Sequence, residues 1–307
     1  MIPTQWGDLD VADAHVHFFS PAFYQSLAEQ KKTDDAGALL GWDVPESIEY
    51  LADRWVVELN HNGVDGAVVI GSIPGDIESV GIAANRHPER LRSIVMVNPL
   101  LAGVDLRCQT ALAEGQIQGV FLFPAMHRYS MQSDHVRSIL AIVDGHPGAV
   151  VYVHCGMLSV GFRKKLALPC PFDMRFSNPI DLHAMALEFP RLPLVIPHFG
   201  AGYFREALML ADLCPNVYFD TSSSYNWMRT DPAGMDLEQV FRKALEVLGP
   251  ERLLFGTDSS WFPRGWVRSL FEVQSQALAS AGIDEKAARA IFGGNLRRLL
   301  QKKAPRN

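Results

Sequence analysis

The chain reads as an α/β protein with the architecture of a (β/α)8 TIM barrel. Three observations predict this. Eight short aliphatic runs alternate with longer amphipathic segments, the rhythm of strands paired in parallel. Four of the runs end in a residue able to ligate a metal. No glycine-rich dinucleotide fingerprint follows any run, which disfavours an open doubly wound sheet with the same local rhythm.

The first run, 11–17, contains Asp13-Ala14-His15-Val16-His17. Successive strand residues point to opposite faces, so His15 and His17 share one. Runs 66–70, 93–97 and 119–122 follow, then 150–154, ending Tyr152-Val153-His154, and 194–198, ending Ile196-Pro197-His198. The seventh run is 217–220, and the eighth, 253–257, leads into Asp258. The metal-capable ends thus belong to the first, fifth, sixth and eighth strands, and only closure brings the first and eighth together. Helices are predicted over 46–60, 77–86, 105–113, 135–143, 179–189, 203–213 and 237–248, with 266–281, 285–292 and 295–302 after the last strand. Asp43-Val44-Pro45-Glu46 supplies a start signal for one of them and Asn178-Pro179 for another. Three long connections, 18–45, 155–178 and 222–235, fall on the face where such barrels hold substrate. Residues 1–307 therefore read as one domain, with specificity in those insertions.

Composition narrows the function. Hydrophobic residues make up 48% of the chain and charged ones 20%, enough to fill a sizeable core. The net charge of −6 comes without a Lys/Arg-rich block, which excludes a nucleic-acid footprint. No apolar stretch has the length of a membrane span, and Met1-Ile2-Pro3-Thr4 does not open a signal peptide. Cys108, Cys155, Cys170 and Cys214 show no CxxC spacing and read as reduced thiols of a cytoplasmic protein. The expected partner is a small-molecule substrate, with homo-oligomer formation left open.

The chain carries Asp13-Ala14-His15-Val16-His17, Asn85-Arg86-His87-Pro88-Glu89-Arg90, Val153-His154-Cys155-Gly156, Pro197-His198-Phe199-Gly200, Pro215-Asn216-Val217-Tyr218-Phe219-Asp220, Phe255-Gly256-Thr257-Asp258 and Phe292-Gly293-Gly294-Asn295, in this order. Together these segments resemble the amidohydrolase superfamily, and within it the amidohydrolase-related group that includes aminocarboxymuconate-semialdehyde decarboxylase. The resemblance implies that His15, His17, His154 and Asp258 hold one divalent metal, zinc first and manganese second. It implies that His198 stands beside the metal as a catalytic acid/base or an additional ligand. It covers hydrolases and non-oxidative decarboxylases alike. One departure is informative: many superfamily members carry a metal-bridging carboxylated lysine at the end of the fourth strand, where this chain has Gly119-Val120-Phe121-Leu122-Phe123-Pro124. A single metal is therefore expected.

Such a ligand set suits a metal-dependent hydrolase of an amide, imide or ester, with Asp258 and His198 as the catalytic pair. The same parts suit a carboxy-lyase, in which cationic side chains hold the substrate carboxylate. A non-catalytic barrel that keeps its pocket as a binding module is disfavoured by the complete ligand set. Substrate contacts are expected from His127 and Arg128 past the fourth strand, Arg163 and Arg175 after the fifth, and Trp261 and Arg264 after the eighth. Phe18, Phe19, Phe121, Phe123 and Phe262 are candidates for an apolar wall. Asp220 reads as a cap for the loop that follows it, Cys155 as a small core residue, and His61, His87, His135, His146 and His183 as structural or surface groups.

Overall fold

Eight parallel strands lie side by side in the order in which the chain lays them down, and the last returns to the first. The computed structural model describes residues 1–222 and 225–301; Lys302, the predicted end of the last helix, and residues 223–224 of the third long connection lie outside the described residues. A short antiparallel hairpin, β1 (Ile2–Thr4) and β2 (Gly7–Leu9), comes first and was not foreseen. The barrel strands are β3 (Val11–Phe18), β4 (Val64–Gly71), β5 (Leu91–Val97), β6 (Gly119–Leu122), β7 (Val150–Val153), β8 (Leu194–Ile196), β9 (Val217–Asp220) and β10 (Leu253–Leu254). The predicted (β/α)8 architecture is borne out.

The strands are buried on both faces, as a helix-covered parallel sheet requires. Ala14, Ile70, Ile94, Phe121, Tyr152 and Val195 fill the barrel interior. Alternate residues such as Val69, Val95, Val120, Val151 and Phe219 pack outward against the helices. Helix Leu237–Leu248 shows how the outer layer is specified. Asp236 and Gln239 form a reciprocal capping box, and Val240, Phe241, Ala244 and Leu248 turn one face inward. Helix Ile48–His61 starts two residues later than the Pro45-Glu46 signal suggests, because the Ser47 side chain caps it by accepting from Tyr50 N. Asn178 does cap its segment, but the first turn is a 3-10 helix, Pro179–Leu182, before helix His183–Glu188. The long connection after β3 is not irregular: it holds helices Pro21–Lys31 and Ala36–Leu40.

Closure depends on one buried carboxylate. Asp13 is fully buried on β3 and accepts hydrogen bonds from His15 N at 2.8 Å, Thr257 N at 3.1 Å, Thr257 Oγ1 at 2.5 Å and Trp266 Nε1 at 2.7 Å. Backbone bonds continue the seam: Ala14 N to Phe255 O, Asp258 N to His15 O and His17 N to Ser259 O, between 2.7 and 3.0 Å. β10 is shorter than the predicted 253–257, because beyond Leu254 the chain bends to make these bonds. Removing the Asp13 carboxylate leaves several buried donors unsatisfied, at about 1–3 kcal/mol each. Asp13→Ala is therefore expected to lose about 3 kcal/mol or more in urea unfolding; a loss under about 1 kcal/mol would show that the seam does not depend on it.

Candidate active site

An irregularity in β3 aims the site. Asp13 pairs with Ala67 but Val16 pairs with Val69, so β3 carries one extra residue between them. Ala12 and Ala14 face the interior before the bulge; after it His15 and His17 face it instead, while Val16 turns outward. Plain alternation from Ala14 would have sent both imidazoles into the helix layer.

His15, His17 and Asp258 bring one ligand atom each to within 4.8 Å of one another. His15 Nε2 lies 3.4 Å from His17 Nε2, and Asp258 Oδ1 lies 3.3 Å from His17 Nε2 and 3.7 Å from His15 Nε2. The hydrogen-bond network assigns the tautomers. His15 Nδ1 donates to Asp220 Oδ2 at 2.5 Å, leaving a lone pair on Nε2. His17 Nδ1 meets Ser72 Oγ at 3.0 Å, and that hydroxyl gives its own proton to Ile70 O. His17 Nδ1 is then the donor and its Nε2 the lone pair. Two lone pairs and a carboxylate oxygen thus converge on one point, an arrangement that attracts a cation. Burial disfavours ionised Asp258, but the imidazoles of His17, His15 and His198, whenever one is protonated toward it, outweigh that and hold the carboxyl below its ordinary range.

His198 and His154 flank this group. His198 Nδ1 donates to Ser222 O at 2.8 Å, so its Nε2 carries the lone pair, and burial keeps the imidazole below its usual pKa. His198 and its neighbour Phe199 have φ of 57° and 54°, and Asp258 has 58°; non-glycine residues in this left-handed region cost about 1–3 kcal/mol each and cluster at functional sites. His154 stacks on Phe123, and its buried Nδ1 has no hydrogen-bond partner among the described residues. Burial, followed by the nearby His198 and His15, pushes its pKa well down. On β6, the fourth barrel strand, Phe121 meets the His15 ring edge-on at 5.6 Å.

Above the group opens a cavity of about 670 Å³, lined by His15, His17, His154, His198 and Asp258 at its floor. Phe19, Trp42, Phe121, Phe123, Phe162 and Trp261 form its apolar wall. Of the residues expected to contact substrate, Arg163, Trp261 and Arg264 line it. His127, Arg128 and Arg175 do not: Arg128 turns to Pro171 O, Arg175 pairs with Asp173, and Met126 takes the lining place next to His127. Burial lowers the His127 pKa to about 4. Phe18 and Phe262 pack in the outer core rather than on the wall. Two contributors escaped the sequence reading. Asp220 does cap its loop, Oδ1 accepting from Ser222 N, but its other oxygen orients His15. Ser72 orients His17. A carboxylate ending the strand beside β10 was the available signal for Asp220; nothing local marks Ser72.

Fold and site together define an α/β-barrel with a metal-type His/Asp centre at the C-terminal ends of its strands. The amidohydrolase family profile matches residues 12–302, and the chain belongs to that family. Protein fluG of Emericella nidulans is 34% identical over 87 residues, which are 28% of this chain. The match spans only 10% of that curated relative's length. Among solved structures, 5-carboxyvanillate decarboxylase from Sphingomonas paucimobilis superposes with a TM-score of 0.64 at 16% identity, over 96% of this chain and all of that one. A probable 2-pyrone-4,6-dicarboxylic acid hydrolase from Acinetobacter baumannii, with citric acid bound, gives 0.61 at 17% identity, over 95% and 99%. At such identities the likeness is one of fold.

Gly256 makes the close approach of β9 and β10 feasible. A Cβ there would lie 2.6 Å from Asp220 Oδ1 and 3.1 Å from His15 Cβ. Gly256→Ala should therefore displace the Asp220–His15 pair and destabilise by about 1–3 kcal/mol. Urea unfolding and the imidazole NMR shifts of His15 check it; an unperturbed variant would show that the approach is not tight.

Proposed function

We propose that the protein is a metal-dependent hydrolase of a small, carboxylate-bearing organic compound, working with one divalent ion. The observation that carries this reading is the convergence of His15 Nε2, His17 Nε2 and Asp258 Oδ1, with both imidazole protons committed on the Nδ1 side. Nitrogen and carboxylate donors suit zinc, with manganese as the alternative. His154 is read as a further ligand, since a buried imidazole without a hydrogen bond suits a donor role. A divalent ion in this place polarises substrate oxygens and water.

The chain's own groups do the rest. His198 is held neutral by burial and fixed by Ser222, so Nε2 is ready to take a proton and later return it to a leaving group. Asp258, ionised, accepts a proton within the same group or holds a ligand. The aromatic wall excludes water from the apolar part of a substrate. Arg264 offers a carboxylate partner beside Asp258: its Nη2 reaches Asp258 O at 3.3 Å and Ser260 Oγ at 3.1 Å. That cation next to the His/Asp group favours a second reading, non-oxidative decarboxylation by the same residues. Four free thiols, Cys108, Cys155 and Cys214 of them buried, accord with action in the cytoplasm.

Metal analysis of purified protein tests the ligand assignment. About one ion per chain is expected, lost in the His15→Ala/His17→Ala double variant; full retention in that variant contradicts the site. Metal-loaded protein screened against lactones, amides and aromatic or unsaturated carboxylates, with carbon dioxide monitored, separates hydrolysis from decarboxylation. With a substrate in hand, His198→Asn should keep the metal and lose about 10²–10⁴-fold in turnover, together with one limb of the pH–rate profile. Near-normal turnover would pass the proton-transfer role to Asp258. Asp220→Asn should weaken metal binding by about 10–100-fold in titration calorimetry by unfixing the His15 tautomer; unchanged affinity would make Asp220 a loop cap alone.

A further inference from the structure

The cavity has an unusual charge inventory. The chain as a whole carries −6, yet among the described residues lining the cavity Asp258 is the one carboxylate, set against Arg163, Lys165 and Arg264. Asp258 is committed to the imidazole group. None of the three cations forms an ion pair with a described residue. Arg175, in the same connection as Arg163 but outside the cavity, does pair, with Asp173 at 2.6 Å.

The cations arrive from two directions. Arg264 follows β10, lies over the Trp261 ring at 5.1 Å and touches the backbone of Asp258. Arg163 belongs to helix Gly161–Lys165 after β7 and is half-buried. Two neutral acceptors hold it: Pro169 O takes Nε at 2.9 Å, and Gln30 Oε1 takes Nη1 at 2.8 Å. Gln30 comes from helix Pro21–Lys31, so this bond ties the β7 and β3 connections together across the cavity mouth. The guanidinium is thereby positioned without being neutralised. Trp42 joins the two directions: it stacks on Trp261 at 5.1 Å and 9°, and meets Phe162, the neighbour of Arg163, edge-on at 5.8 Å. Phe19 stacks on Trp42 at 5.5 Å and reaches His17 at 5.9 Å. A near-parallel aromatic wall thus runs from the His/Asp group to the mouth.

We propose that Arg163, positioned by Gln30 and aided by Lys165, forms a second anion subsite, so that the substrate is a flat dianion. One anionic group lies at the Arg264 end beside the His/Asp group, the other at Arg163, and the body lies against the ring edges of the Phe19–Trp42–Trp261 column. The proposal rests on the reading of the His/Asp group as the reacting end and adds what the far end recognises. A planar guanidinium fork suits a carboxylate there, and a row of aromatic ring edges suits the face of a conjugated body.

Binding tests it without turnover. Isophthalate and terephthalate serve as flat dianions of two spans and benzoate as the monoanion, titrated by calorimetry and by quenching of tryptophan fluorescence. The parent should bind the better dianion at least about 10-fold more tightly than benzoate. Gln30→Glu keeps the bond to Arg163 but gives it a carboxylate partner. It should cut that preference to below about 3-fold while benzoate changes less than about 2-fold. Arg163→Gln should do the same, and Arg163→Lys should keep most of the preference. The pattern is expected in metal-loaded and in EDTA-treated protein alike, because the subsite is separate from the His/Asp group; a protein without stoichiometric metal, the failure of the preceding reading, would still show it. Equal weakening of dianion and monoanion in Gln30→Glu, no weakening of either, or loss of the Arg163 dependence on EDTA treatment would overturn the proposal.

Discussion

The rest of the structure depends on the seam between the first and last barrel strands. Asp13 is its centre: a carboxylate taken out of water, kept there by backbone and side-chain donors from both sides of the closure. Burial, partly offset by these bonds, raises its pKa to about 6. The same seam that closes the barrel carries the candidate site, because Asp258 N donates to His15 O and His17 N to Ser259 O. An imidazole pair from the start of the chain and a carboxylate from its far end are thereby fixed by main-chain geometry, on rigid elements rather than on side-chain reach. Stability and chemistry meet in one place, and the left-handed backbones of Asp258 and His198 are sustained by the packed shell around them.

Around the seam, three imidazoles have one nitrogen spoken for. Asp220, Ser72 and Ser222 take the Nδ1 protons of His15, His17 and His198, and the lone pairs left over are Nε2 atoms of the site. Aromatic rings complete the setting. Phe121 and Phe123 occupy the end of β6, one against His15 and one against His154, and leave no amine there to bridge a second ion. A low-dielectric surround strengthens every charge interaction at the floor of the cavity, which is why so few polar groups are enough.

Much of this was legible from residue order. The alternation of apolar runs with amphipathic segments announced the barrel, and His15, His17, His154, His198 and Asp258 announced the end of it that holds the cavity, because strand-end position is a local property. The bulge between Asp13 and Val16 was not legible. The His-x-His spacing says that the two rings share a face, and only the pairing with β4 says which. Connections were harder still. His127, Arg128 and Arg175 have the composition of substrate contacts, but the helical turn Pro124–His127 and the Arg128–Pro171 and Arg175–Asp173 bonds turn them from the cavity. Gln30 and Trp42 lie in a segment that reads as loop; helices Pro21–Lys31 and Ala36–Leu40 bring both to the cavity. Such long-range placements come from tertiary packing, which no short window of sequence encodes.

At the bottom of the aromatic cavity, two imidazole nitrogens and a carboxylate oxygen converge on one point, with the imidazole protons engaged on the far side of each ring. The most direct measurement is anomalous diffraction from crystals grown with manganese or zinc, recorded at the metal edge. One strong peak is expected, in contact with His15 Nε2, His17 Nε2 and Asp258 Oδ1. Two peaks about 3.5–4 Å apart, the spacing of bridged two-metal sites, or no peak among these three atoms, would contradict it.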